Sequence, residues 1–402
     1  MMMFQPFKAS QLDSVCRMAA TFALAVLFGS TLGAETPKTG KGNDKKNRSM
    51  ISDAEPPVLE APSGPRLREI APLGSFPLII GGTSSIQLLG TEAETILNRE
   101  FQFITPANAF KQAGVHPEPG VWKWKKPDAW IARCQERGEI MRLHACVSPQ
   151  CSAWAEEDDR TPDELRQVME EYVTEICKRY GHHDHVKWID VVNETVTREG
   201  EWFGPKEGVG KWQNPWTQIG FDETHPLRPP LYIKRAFEIA AEHAPNVKLL
   251  YNQHGDMEPE AWKKVCAAVL YLREKNVRID GIGWQAHVDS DFEKDAGNMQ
   301  RLNQLITWAH QHDLEFHITE NTVWTKDADH DAQAATFAAI IRTLLSHCRG
   351  GVVTWNAWQM RDSDTQRPDR QGNLFDKNGS PRPSYYAVQK ELLNFKQSLR
   401  RE

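Results

Sequence analysis

Two short apolar runs in this 402-residue chain end in a carboxylate. Trp188-Ile189-Asp190-Val191-Val192-Asn193-Glu194 reads as a buried strand closed by an amide and an acid, and Leu314-Glu315-Phe316-His317-Ile318-Thr319-Glu320 repeats the design. Either glutamate alone reads as a solvated strand end. Together, on two strands of one parallel barrel, Glu194 and Glu320 would stand at the C-terminal rim where such barrels place catalytic groups. Other strand ends carry Asn108 and Lys111, His144, Asn252, Gln285 and His287, and Trp355. A lone His or Gln there is ordinarily a satisfied structural residue. Recurrence on successive strand ends points instead to a site for a hydroxyl-rich, uncharged ring, which needs many donors and acceptors and one apolar face.

The elements that must position these groups alternate steadily. Eight β-rich runs, at Pro77–Gly81, Phe101–Thr105, Ile140–Ala145, Lys187–Asn193, Val247–Asn252, Ile279–Gln285, Leu314–Thr319 and Gly351–Trp355, are separated by helical patterns. Thr161-Pro162-Asp163-Glu164 supplies an N-cap, a first-turn proline and a capping-box glutamate. Leu165, Val168, Met169, Tyr172 and Ile176 then lie on one stripe that Gly181 ends. Similar stripes are Tyr232, Ala236, Phe237 and Ala240, and Phe337, Ile340, Ile341, Leu344 and Leu345. Eight strand and helix units predict an α/β fold, a (β/α)8 TIM barrel forming a single catalytic domain. A doubly wound sheet would want a glycine-rich phosphate turn after the first strand, and Gly81-Gly82-Thr83-Ser84-Ser85 is a weak match.

Composition bounds the rest. A net charge of -6 gives no positive field for nucleic acid. Lys8 and Arg17 precede an apolar run from Met18 to Leu32 and then Gly33-Ala34, the pattern of a signal peptide over residues 1–34, too short and punctuated for a stable membrane span. Residues 35–65 are rich in Lys, Gly, Asn and Pro and read as a flexible linker, leaving 66–402 for the barrel. Six cysteines follow the leader, of which Cys146 and Cys151 are close enough to clip one loop and others sit on apolar helix faces as buried thiols. Their spacing shows no zinc-type cluster, so neither metal nor cofactor is expected, and the chain reads as an exported monomer.

Between Phe76 and about Leu393 the sequence resembles glycoside hydrolase family 10, the endo-xylanase family. The motifs are Thr105-Pro106-Ala107-Asn108 with Lys111, Asp190-Val191-Val192-Asn193-Glu194, Asn214-Pro215-Trp216 with Ile219-Gly220, Gly281-Ile282-Gly283-Trp284-Gln285-Ala286-His287, Ile318-Thr319-Glu320, and Leu374-Phe375-Asp376 ahead of Pro383-Ser384-Tyr385. The resemblance implies a retaining hydrolase of β-1,4-linked polysaccharide, xylan or a related decorated glycan. Glu194 would be the acid/base, carrying a proton at rest, and Glu320 the nucleophile, the two carboxyl groups ~5 Å apart. Lys111, His144, Asn193, Gln285 and His287 would hold the sugar at the cleavage point, with Trp355 beneath, and Asn108 would also bind substrate.

Four departures qualify this. Ala107 replaces a glutamate that holds the next sugar on the non-reducing side, and Ser148-Pro149 replaces a Trp-His pair. Thr322 replaces the aspartate partner of His287, and the second tryptophan expected after Trp355 falls on Ser363, with Trp358 extra. Weak activity on plain xylan is therefore expected, with compensating contacts from residues 199–215. The rival reading is a carbohydrate-binding barrel that has lost turnover, which loss of either glutamate would have favoured; both are present. For the leader, N-terminal sequencing of the mature protein from its native host should begin close to Glu35, and an intact Met1 would overturn that expectation.

Overall fold

The computed structural model describes residues 55–72, 77–144, 147–149, 151, 160–205 and 214–401. The proposed leader, residues 35–54 of the linker, Cys146 and much of the 199–215 segment lie outside the described residues. Eight strands close into a parallel barrel: β1 Leu78–Ser84, β2 Phe103–Pro106, β3 Ile140–Leu143, β4 Val186–Asn193, β5 Lys248–Gln253, β6 Gly281–Trp284, β8 Glu315–Trp324 and β9 Val353–Ala357. β1 pairs with both β2 and β9, and the β6–β8 pairing completes the ring. Each run read as a strand forms one. A ninth strand, β7 His287–Asp289, was not anticipated. It pairs parallel with Thr322–Trp324, so β8 runs past the barrel and raises one wall of its mouth.

Helices cover the outside for the reasons the pattern gives. Thr161 caps the helix Pro162–Tyr180, its hydroxyl accepting from Glu164 N while the Glu164 carboxylate returns to Thr161 N. The buried side chains of that helix include all five of the stripe. The barrel floor is a small separate cluster of Phe103, Trp188 and Leu250 inside the ring. Gly81 makes room for it, because a Cβ there would lie 2.3 Å from the Phe103 ring. Cys134, Cys177, Cys266 and Cys348 are free thiols in or beside the core, and burial pushes the first three up to about 12 and Cys348 to about 11.

Residues 55–65, placed in the linker by composition, run against the barrel. Pro57 O accepts from Thr95 Oγ1 at 2.6 Å, and Ser63 O and Pro65 O each accept from Gln389 Nε2 at 2.9 Å. Leu59 packs on the core. The reason is a carboxylate farther on: Glu100, fully buried, accepts from Leu67 N at 3.0 Å and Tyr385 Oη at 2.9 Å, and pairs with Arg99 at 2.7 Å and Arg66 at 3.5 Å. One acid thus ties the incoming chain to the C-terminal helix Pro383–Leu399. Removing one partner of a buried ion pair leaves the other uncompensated, at a cost of about 3–5 kcal/mol. Glu100→Ala should lose that much in urea denaturation, and Glu100→Gln, which keeps both acceptor roles, clearly less. Near-wild-type stability of the alanine variant would show that this cluster does not hold the N-terminal segment.

Candidate active site

Regular alternation along a strand would not bring all of these groups into the barrel mouth. In β4, Asp190 lies inside, and a register shift between Asp190 and Val192 lets Asn193 face inward as well. Glu194 then adopts φ of 56°, a left-handed conformation uncommon for a residue with a side chain, with its N–H donating to Asn252 O at 3.2 Å. β8 does the same. Thr319 points inward, its hydroxyl donating to Asn252 Oδ1 at 2.7 Å, and the irregularity between Ile318 and Asn321 turns Glu320 to the same side.

The two carboxylates are joined by amides. Gln285 Nε2 donates to Glu194 Oε1 at 2.8 Å and to Asn193 Oδ1 at 3.2 Å; Asn193 Nδ2 also reaches Glu194 Oε1 at 3.2 Å. Asn252 Nδ2 bridges from Asn193 Oδ1 at 2.9 Å to Glu320 Oε1 at 3.1 Å. On the far side of Glu320, His287 Nε2 lies 3.3 Å from Oε2 and His144 Nε2 3.8 Å from Oε1. His144 is oriented by Asp190, 2.8 Å from its Nδ1. Burial alone would hold the Glu320 carboxyl high. The His144 charge, the His287 hydrogen bond and charge, and Lys111 outweigh it and bring the pKa from the ordinary 4.5 down to about 2. A nucleophile needs that ionised form.

Above them lies a cleft of about 500 Å³ lined by Asn108, Lys111, Glu194, Gln285, His287 and Glu320 and by residues after β1 and β9. The geometry therefore gathers Asn108, Lys111, His144, Asn193, Gln285 and His287 around the two glutamates. It does not gather Trp355. In β9 the inward positions are Thr354 and Asn356, bonded to His317 and to Thr105 and Thr83 inside the ring. Trp355, between them, faces the helices, fully buried against Phe101 and Phe337, its Nε1 donating to Asn321 Oδ1 at 2.8 Å. Two other tryptophans line the cleft, Trp324 and Trp358, the latter set edge to face with His144 and His287. Shifting the match by three residues moves the second expected tryptophan from Ser363 to Gln366, which does line the cleft.

Other contacts escaped the sequence reading. Thr322 fills the role of the missing aspartate, its hydroxyl 2.8 Å from His287 Nδ1. Trp324, on the extension of β8, stacks on His287 at 5.7 Å. His254, two residues past Asn252, bonds Val196 O through Nε2 at 3.0 Å and turns Nδ1 toward Glu194 Oε2 at 3.8 Å. Extending the strand-end rule by two residues would have found it. Ser148 sits under the site as backbone support, accepting from Trp216 Nε1 at 3.1 Å. Among the described residues no group of His, Cys, Asp and Glu is arranged to hold a metal.

Paired carboxylates on the C-terminal rim of a closed parallel barrel, one ionised and one hydrogen-bonded to amides, define a glycoside hydrolase of the (β/α)8 class. The family model for Glycosyl hydrolase family 10 matches residues 74–391, and the chain belongs to that family. Endo-1,4-beta-xylanase A of Humicola insolens is 27% identical over 73% of this chain and 75% of its own length. Endo-1,4-beta-xylanase B of Thermotoga neapolitana is 26% identical over 75% and 83%. In structure the chain is similar to native xylanase 10B from Thermotoga maritima, with TM-score 0.70 and 24% identity over 83% of this chain and 99% of that one. Xylanase 10B from Thermotoga petrophila RKU-1, solved in complex with xylobiose, gives TM-score 0.69 and 24% identity over 84% and 100%.

A carboxylate whose pKa is depressed on folding contributes stability that is present above about pH 4.5 and lost as the pH falls toward 2. In scanning calorimetry the Tm of the wild-type protein should therefore drop more steeply between pH 4.5 and 2 than that of Glu320→Gln. Parallel curves would mean that Glu320 is not held ionised by its neighbours.

Proposed function

We propose that this chain hydrolyses a β-1,4-linked glycan, xylan or a decorated relative, by double displacement at Glu194 and Glu320. The observation that carries the reading is the amide chain Gln285–Asn193–Asn252, which links one carboxylate to the other across the mouth of the barrel. In the first step an oxygen of Glu320 bonds to the anomeric carbon as the glycosidic C–O bond breaks, and the proton of Glu194 passes to the departing oxygen. In the second step water attacks the same carbon, Glu194 takes its proton, and the Glu320 ester bond breaks. Asn193 is placed to bond the sugar 2-hydroxyl, a contact that strengthens in the transition state. Lys111, His144 and His287 keep Glu320 anionic until it attacks. Trp358 supplies the apolar face for the ring.

The names of the xylanases similar to this chain support xylan as the parent substrate. The charged start and apolar run of the first 34 residues support export, and among the described residues no helix is long and apolar enough to cross a membrane. The chain would act as a monomer, without metal or cofactor.

The variants separate the roles. Glu320→Ala should abolish turnover of every substrate, because no glycosyl intermediate can form. Glu194→Ala should still form the intermediate from an aryl glycoside with a good leaving group, then stall. Added azide should restore its turnover and yield a glycosyl azide of retained configuration. An inverted anomer as the first product of the wild-type enzyme, seen by NMR, would sink the assignment.

A further inference from the structure

The wall of the cleft built by the loops after β1, β2 and β9 carries two cations that the mechanism does not use. Lys126 and Arg367 both line the cavity that holds Glu194 and Glu320. On the loop after β9 the other arginines are tied to carboxylates: Arg361 to Asp364 and Glu92, Arg370 to Asp289, and farther on Arg382 to Asp362. Arg367 has no such partner among the described residues. Its guanidinium lies 5.2 Å from the Trp324 ring centroid, held by the aromatic face with its N–H donors uncommitted. Lys126 likewise has no ion pair among the described residues. It stands in the first turn of the helix Lys125–Arg137, where the helix dipole favours acids, so helix stability does not account for a cation there. The remaining acid on this wall, Asp364, is itself neutralised by Arg361, with only 1% of its side chain exposed.

This is also the wall where Ala107 and Gln366 stand in place of the carboxylate and the indole that the family resemblance led us to expect. An acid removed and two unpaired cations present change the sign of the wall from one suited to a neutral sugar to one suited to an anion. Resting on the hydrolase reading above, we infer that Lys126 and Arg367 form a subsite for an anionic substituent, a uronate carboxylate or a sulfate ester, carried by the glycan. Arg367 offers planar, paired donors to either oxyanion, and Lys126 a mobile point charge. Gln87, Thr365 and Gln366 on the same wall are left to bond the neighbouring hydroxyls.

The test compares kcat/KM for three xylo-oligosaccharides of one length, neutral, uronate-bearing and sulfate-bearing, and for an aryl xyloside, with wild type, Arg367→Gln, Arg367→Lys, Lys126→Gln and the double glutamine variant. Wild type should prefer at least one anionic oligosaccharide over the neutral one, and the arm that shows the preference identifies the substituent. The anionic-to-neutral ratio should fall about tenfold in each glutamine variant, the loss of one charge-assisted contact worth about 1.4 kcal/mol. It should fall further in the double variant, recover in part in Arg367→Lys, and shrink with added salt. Turnover of the neutral compounds with no anionic preference in wild type, or a ratio unmoved in the double variant, would overturn this subsite while leaving the hydrolase reading intact. No Glu320-dependent turnover of any compound would overturn both.

Discussion

The buried carboxylate of Asp190 is the fixed point of this molecule. It sits inside the barrel on β4, takes His144, the residue just past β3, at 2.8 Å, and has Arg142 of β3 at 3.7 Å. Arg142, itself fully buried, donates to Thr319 O on β8 at 2.6 Å, next to the nucleophile. Three strands from different parts of the chain are thereby locked through one acid. Such a group is expensive to desolvate and tolerable only with its partners in place, so the strands have little freedom to slide past one another. His144 relays this rigidity outward, since the ring held by Asp190 is the one whose other nitrogen faces Glu320. The charge that makes Glu320 reactive and the charge that fixes the barrel register are parts of one network.

Catalytic placement is obtained by interrupting regular structure. Both carboxylate-bearing strands shift register next to the site, and Glu194, Ala286 and Gln359, at the ends of β4, β6 and β9, all have positive φ. Residues held in sparsely populated backbone conformations persist only where their surroundings over-determine them. Here the surroundings are hydrogen bonds: Glu194 N to Asn252 O, Glu320 N to Gln285 O, and Thr322 N to Ala286 O. The irregular backbone is thus stitched to the neighbouring strand at each departure from the ladder.

These interruptions also mark how far sequence reasoning reached. The eight strands, their parallel sense and both glutamates could be read directly, because apolar runs, helix stripes and caps are local signals. What could not be read was parity. Val353-Thr354-Trp355-Asn356-Ala357 alternates apolar and polar residues, but in a strand buried on both faces alternation does not say which set lines the barrel interior, so the resemblance alone assigns the sugar face to Trp355 and makes Trp358 extra. Only the partners of Thr354 and Asn356 reveal which face is inside. Thr322 reads from sequence as the loss of a partner for His287, yet its hydroxyl keeps that contact, because hydrogen-bond capacity survives a change of residue type that removes charge. The composition of residues 55–65 is that of a linker; their contacts are made mainly by backbone carbonyls, to which composition is blind.

The four free thiols described above bear on how such a protein is made. A thiol buried in the core and held near or above 11 is almost wholly protonated at neutral pH, and the thiolate is the species that exchanges with disulfides or reacts with oxidants. Cys134, Cys177, Cys266 and Cys348 therefore act as small apolar packing residues once the barrel has closed. In the folded protein only Cys266 of the four keeps partial exposure; in the unfolded chain all are open to a wrong cross-link. In an oxidising compartment barrel closure would compete with mispairing, and the packed helix faces that cover these sulfurs would favour closure.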